Sequence, residues 1–137
     1  MQYITNSEKE TKELAKKIAQ NRKNNIIALT GPLGAGKTIF VQGFAQGLGI
    51  KDKIISPTFV LVRQHGNLPA GRQVFYHVDL YRVDDFKDLG LEEILANKNN
   101  IILIEWAEKI KKLLPKNSLW ISFEITDKNT RKIKILS

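Results

Sequence analysis

The stretch Ile26-Ile27-Ala28-Leu29-Thr30-Gly31-Pro32-Leu33-Gly34-Ala35-Gly36-Lys37-Thr38 decides the fold. It opens with a short, wholly apolar run, the pattern of a strand buried on both faces within a parallel sheet. From Gly31 to Thr38 it matches G-x-x-x-x-G-K-[ST] at every fixed position. Average composition would produce that match by chance in about one chain of this length in two hundred. Its place between an apolar strand and a helix sharpens the signal further. The spacing has a physical reason. Glycines let the backbone wind around phosphate oxygens with its N–H groups facing inward, and the following helix presents its positive N-terminus. Lys37 is then expected at the β- and γ-phosphates, and the Thr38 hydroxyl at Mg2+. A glycine-rich turn with an exposed lysine would explain neither flank. The chain is therefore expected to bind a nucleoside triphosphate.

Outward from this loop, 37–48 reads as a helix ended by Gly49 at the C′ position. Gly43 and Gly47 lower its intrinsic propensity and suggest close backbone packing on the sheet. Upstream, Ser7-Glu8-Lys9-Glu10 has the form of a capping box. Behind it Thr11, Leu14, Ala15, Ile18 and Ala19 make the stripe of an amphipathic helix over 8–21. Downstream, 59–62 and 73–80 read as strands, with turn chemistry at 66–71 between them suggesting an antiparallel hairpin. One or two short helices are expected over 84–97, interrupted near Gly90. A second buried strand follows at Ile101-Ile102-Leu103-Ile104, and 119–125 and 132–136 alternate as edge-side strands would. The expected fold is α/β, a P-loop NTPase-like mainly parallel central sheet with antiparallel additions, flanked by helices.

A P-loop site also needs a carboxylate beside the magnesium, usually at the end of a buried strand. Two candidates exist, Glu105 after the run 101–104 and Asp79 after the alternating Phe75-Tyr76-His77-Val78. Either one alone also reads as a surface charge at a strand end. Ser56-Pro57-Thr58 follows the P-loop helix, where many P-loop proteins place a γ-phosphate sensor, but the motif alone favours an ordinary Ser-Pro turn entering a strand. His65 and His77 read as loop and strand residues, since no second ligand sits at a useful spacing. Trp106 and Trp120 read as packing, and Lys109, Lys111, Lys112 and Lys116 as a solvated helix face.

Length and composition fit this reading. At 137 residues with 42% hydrophobic and 26% charged residues, 1–137 is expected to form one domain. The absence of cysteine excludes disulfides, thiolate metal sites and a cysteine nucleophile. No apolar run approaches the roughly 20 residues of a bilayer span, and the start lacks a secretory pattern, so a cytoplasmic location is expected. The net charge of +8 is uneven: residues 97–137 carry nine basic against four acidic side chains, and 66–96 three against six. Such a balance suits a nucleotide, a nucleic acid or an acidic partner, and suits plain solubility as well.

Leu-Thr-Gly-x-Leu-Gly-Ala-Gly-Lys-Thr at 29–38, Ser-Pro-Thr-Phe at 56–59, His-x-Asp-Leu-Tyr-Arg at 77–82 and Ile-Glu-Trp-Ala-Glu at 104–108 together resemble the TsaE (YjeE) family. These are small bacterial ATPases of tRNA threonylcarbamoyladenosine synthesis, and the resemblance runs along nearly the whole chain. It implies ATP bound with Mg2+, the metal held by Thr38 and Glu105. Gly34, Ala35, Gly36, Lys37, Thr38 and Ile39 would line the nucleotide, with Thr11, Thr58, Trp106 and Arg131 approaching it. Lys37, Asp79 and Glu105 would carry the chemistry, Asp79 as the acid that orients the attacking water or meets partners. The resemblance further implies slow hydrolysis by the chain alone and work with the TsaD–TsaB pair. That pair transfers threonylcarbamoyl to adenosine 37 of tRNAs reading ANN codons. Contact with tRNA would be indirect, through the complex, with no membrane or DNA involved. Pro32 and Ile39 depart from the family's usual residues but are not fixed positions, and the loop 66–72 is unusual for its hairpin.

Other P-loop classes fit less well. A small-molecule kinase usually adds an arginine-rich lid, whereas this region offers only Arg63, Arg72 and Arg82. A regulatory GTPase needs an N-K-x-D segment, and Asn97-Lys98-Asn99-Asn100 lacks its aspartate. A nucleotide-gated binding module reset by slow hydrolysis overlaps the ATPase reading.

Overall fold

The computed structural model describes residues 1–32, 34–50, 62–67 (backbone only), 74–81 and 90–136. Leu33, Ser56-Pro57-Thr58, the strand start at 59–61, the turn at 68–71, Arg72, Arg82 and the stretch 84–89 lie outside the described residues, as do the side chains of Arg63 and His65.

The apolar run ahead of the P-loop forms β2 (Ile26–Thr30) at the centre of the sheet. It runs parallel to β5 (Asn100–Glu105) on one side and to β6 (Leu119–Ile125) on the other. β4 (Val74–Asp79) adds a fourth parallel strand beside β5. Antiparallel strands close both flanks: β3 (Val62–Asn67) on β4, and β7 (Arg131–Leu136) on β6 with β1 (Gln2–Thr5) outermost. The order is β1-β7-β6-β2-β5-β4-β3, the expected parallel centre with antiparallel additions. Ile27 and Leu29 point to one face and Ala28 to the other, and Ile101 and Leu103 oppose Ile102 and Ile104 in the same way. Burial on both sides is why these strands are continuously apolar, whereas β6 and β7 alternate.

One face is covered by α1 (Glu8–Asn21) and α2 (Lys37–Gly47). Ser7 Oγ caps α1 by accepting from the Glu10 N–H at 3.1 Å, and Glu10 Oε1 accepts from the Asn6 N–H, one residue before the position a capping box uses. α2 ends in a Schellman motif. Gly49 (φ +86°) donates to Gln46 O and Ile50 to Ala45 O, both at 3.0 Å, and the Ile50 side chain turns into the core. Phe40, Phe44, Phe75 and Phe123 fill the layer between α2 and the sheet, Phe40 meeting Phe123 edge-on at 5.4 Å. The opposite face packs Val78, Ile102 and Ile104 under α3 (Leu91–Ala96) and a 3₁₀ segment, Ala107–Leu113.

Two expectations need correction, and one strand was not expected. Gly43 and Gly47 do allow close packing, but against α1: a Cβ on Gly43 would overlap the Lys12 carbonyl, and one on Gly47 would lie 2.5 Å from Lys16 O. β1 carried no strand signal, because four residues with no flanking turn acquire that structure only by pairing with β7. Gly66 and Asn67, expected in the turn, belong to β3, accommodated by a register shift between Gln64 and Asn67. Gly90, with φ +71°, immediately precedes α3, while the part of the expected 84–97 helical stretch before it lies outside the described residues.

Candidate nucleotide site

The site assembles where the carboxyl ends of β2, β4 and β5 meet the start of α2, the usual ligand position in parallel α/β sheets. Gly36, at φ +92°, occupies the N-cap of α2 and supplies no side-chain cap. Among the described residues no side chain caps the first-turn amides of α2, at the positive end of the helix, where an anion is favoured. Gly31 (φ +134°) and Gly34 (φ +78°) hold loop conformations that other residues rarely adopt. Gly31 also lies too close to Phe123 for a side chain, since a Cβ there would meet its carbonyl oxygen at 2.7 Å.

Lys37 is buried, with only 5% of its surface exposed. Its ammonium donates to Gly31 O at 2.6 Å and lies 3.8 Å from the centroid of the Trp106 ring. Burial pulls its pKa below the ordinary lysine value, and the carboxylates of Glu105, Glu108 and Asp79 oppose that shift. Trp106 directly follows β5 with φ +60°, a left-handed backbone that a bulky residue adopts only under constraint. Tyr81 leans on its ring at 5.0 Å.

The two strand-end acids sit side by side, because Asp79 pairs in register with Glu105. Burial pushes the Asp79 carboxyl up, while the Tyr81 N–H donated to its Oδ1 at 3.0 Å pulls it down. Glu108, three residues past Glu105, is likewise raised by burial and lowered by Lys37. Glu105 is itself buried, and its Oε2 lies 2.6 Å from His77 Nε2.

A cleft of about 130 Å3 opens on the other side of the P-loop, lined in part by Thr11, Gly34, Gly36, Ile39, Asn129 and Arg131. Arg131 Nη2 donates to Gly34 O at 3.1 Å, and Nη1 gathers the carbonyls of Asp127, Lys128 and Thr130. Thr11 is held by Thr5 Oγ1 at 2.7 Å and by the Ser7 carbonyl.

The fold thus brings together two groups of the residues singled out from the sequence. Lys37, Asp79, Glu105 and Trp106 stand on one side, with Thr38 in the first turn of α2. Thr11, Gly34, Gly36, Ile39 and Arg131 line the other. Ala35 is buried in the loop between them, and Thr58 lies outside the described residues. Four contributors had been missed: His77, Glu108, Tyr81 and Asn129. His77 was legible in principle, since it lies two residues before Asp79 and so on the same face of one strand.

No cluster of three or more His, Cys, Asp or Glu suited to a metal occurs among the described residues. Mg2+ in a P-loop needs none, because a hydroxyl and one carboxylate suffice when phosphates and water complete the shell. Thr38 and Glu105 fit that requirement. Among the described residues no helix is long and apolar enough to cross a membrane.

Comparison with known proteins agrees with this architecture. The family model for the threonylcarbamoyl adenosine biosynthesis protein TsaE matches residues 5–133. The tRNA threonylcarbamoyladenosine biosynthesis protein TsaE of Rickettsia felis is 42% identical over 98% of this chain and 78% of its own length. Its Bacillus subtilis counterpart is 38% identical over 97% and 83%. The crystal structure of Bacillus subtilis YdiB superposes with a TM-score of 0.81 at 34% identity, covering 98% of this chain and 83% of that one. With the family model matching nearly the whole chain and these relatives matched over most of their own length, the chain belongs to the TsaE family of tRNA threonylcarbamoyladenosine biosynthesis proteins.

Proposed function

We propose that the chain is an ATP-binding, Mg2+-dependent and weakly ATP-hydrolysing accessory subunit. It would act with the TsaD–TsaB pair in the threonylcarbamoylation of adenosine 37 in tRNAs reading ANN codons, touching tRNA only through that complex. The observation that carries the reading is the uncapped start of α2, with a buried lysine and two adjoining carboxylates against it.

The loop amides of Gly34, Ala35 and Gly36 and the ammonium of Lys37 hold the phosphates. Lys37 gives up the neutral Gly31 carbonyl for phosphate oxygens, which are stronger charge-assisted partners. Thr38 and Glu105 would hold Mg2+, which would supply positive charge against the phosphate oxygens. Asp79 orients the attacking water, and its raised pKa makes it a better proton acceptor than an exposed carboxylate. Thr11, Ile39 and Arg131 receive the nucleoside side of ATP, and Trp106 borders the phosphates through its contact with Lys37. Thr58, outside the described residues, would serve as a sensor of the γ-phosphate. Guanine is disfavoured, since the chain lacks the aspartate that would pair with its edge.

The test is ATP hydrolysis by the purified chain, alone and with TsaD, TsaB and substrate tRNA, with Lys37→Ala as control. Slow turnover that rises with the pair is expected, and no tight ATP binding by the variant in calorimetry. Unchanged affinity in Lys37→Ala would sink the site assignment. Phosphorylation of a metabolite, with no response to the pair, would make the chain a kinase instead.

A further inference from the structure

His77 is wholly buried on β4, and its described hydrogen-bond partner is a carboxylate oxygen 28 residues away. Phe75, His77 and Asp79 line one face of that strand, so His77 stands between the core and the reactive end of the sheet. Its Nε2 meets Glu105 Oε2 at 2.6 Å, short enough for a charge-assisted hydrogen bond. Because a carboxylate only accepts, Nε2 is the nitrogen that carries the donated proton. Nδ1 has no partner among the described residues. The ring is therefore committed to Glu105 and to nothing else described.

We propose that His77 is the positioning residue of the magnesium site. By donating from Nε2 to Oε2, it holds the Glu105 carboxylate in one rotamer and leaves Oε1 for the metal. The proposal rests on the reading of Glu105 as a metal ligand. The physical gain is preorganisation. A buried carboxylate at a strand end has several rotamers to lose on metal binding, and a fixed donor removes that cost beforehand.

The experiment compares His77→Gln, His77→Asn and His77→Leu with wild type, reading ADP affinity by calorimetry across a Mg2+ titration and in EDTA. Gln places an amide nitrogen close to where Nε2 stood, whereas Asn places it near Nδ1, away from Glu105. Asn should fold as well as Gln, which keeps the test decisive if Leu fails to fold. Half-saturating Mg2+ is expected to rise about 10- to 100-fold in Asn and Leu and to recover largely in Gln. ADP affinity in EDTA should stay within about twofold throughout, a split that general loosening of the fold would not produce. If wild type shows Mg2+-dependent binding and Asn matches it, the positioning role is overturned while the metal site stands. Equal loss in Gln and Asn, with EDTA affinity falling in parallel, also overturns it and makes His77 a packing residue. Mg2+-independent ADP binding by wild type would overturn the metal-site reading and this role together.

Discussion

Asp79 shows how one residue can set function against stability. Burial raises its pKa above that of an unfolded carboxyl, although the Tyr81 N–H partly offsets the shift. The unfolded chain therefore releases this proton first as pH rises. Stability falls through the window between the ordinary carboxylate value and the raised folded value, and the cost is fully present above it. Asp79→Asn keeps an acceptor oxygen for Tyr81 N–H and removes the ionisation. Its melting temperature should exceed wild type at neutral pH and converge with it below the carboxylate range, in thermal melts across pH. The same variant should lose ATP hydrolysis in the complex by about 10²- to 10⁴-fold if Asp79 handles the attacking water. A variant less stable than wild type at neutral pH would mean that the Asp79 charge has a compensating partner.

At the scale of elements, the α1–α2 pair is set by two glycines a turn apart. By propensity Gly43 and Gly47 are poor choices inside a helix, each costing about 1 kcal/mol against alanine. They are there because the carbonyls of Lys12 and Lys16 occupy the space a Cβ would need. Gly43→Ala should accordingly destabilise the fold by about 1–3 kcal/mol despite its better propensity, since backbone rather than a flexible side chain must give way. Urea unfolding would measure it, and a stabilised variant would show that the helices can separate freely. The closeness was legible in the two glycines, but its direction was not. Spacing alone does not say whether a bare helix face meets a sheet or another helix. Helix capping was easier to read, because Ser7 and Glu10 act on neighbours within four residues.

Across the whole molecule, β7 reaches back to the P-loop through Arg131, 97 residues away from Gly34. This arginine also orders the turn before it, where Asn129 borders the cleft. Arg131→Ala should weaken ATP binding about 3- to 10-fold, the effect of losing roughly one hydrogen bond's worth of free energy. Calorimetry would measure the loss, while a melting temperature little changed would separate it from unfolding. Full retention of affinity would confine Arg131 to shaping its own turn.

What the sequence determined alone was everything carried by neighbours in the chain. The apolar run, the glycine loop, the helix that follows and its Gly49 stop are local features, and they suffice to recognise a phosphate-binding strand–loop–helix. The parallel centre followed from two runs, 26–29 and 101–104, that only burial on both faces explains. Tertiary structure decided which of the scattered residues meet. Asp79 and Glu105 become neighbours because β4 and β5 pair in one register, and a shift by a single residue would turn one acid to the opposite face. His77 reaches Glu105 by the same pairing, and β1 exists as a strand only because β7 offers it an edge. Local chemistry fixes elements, but contacts between distant strands depend on sheet order and register, which no short window of residues contains.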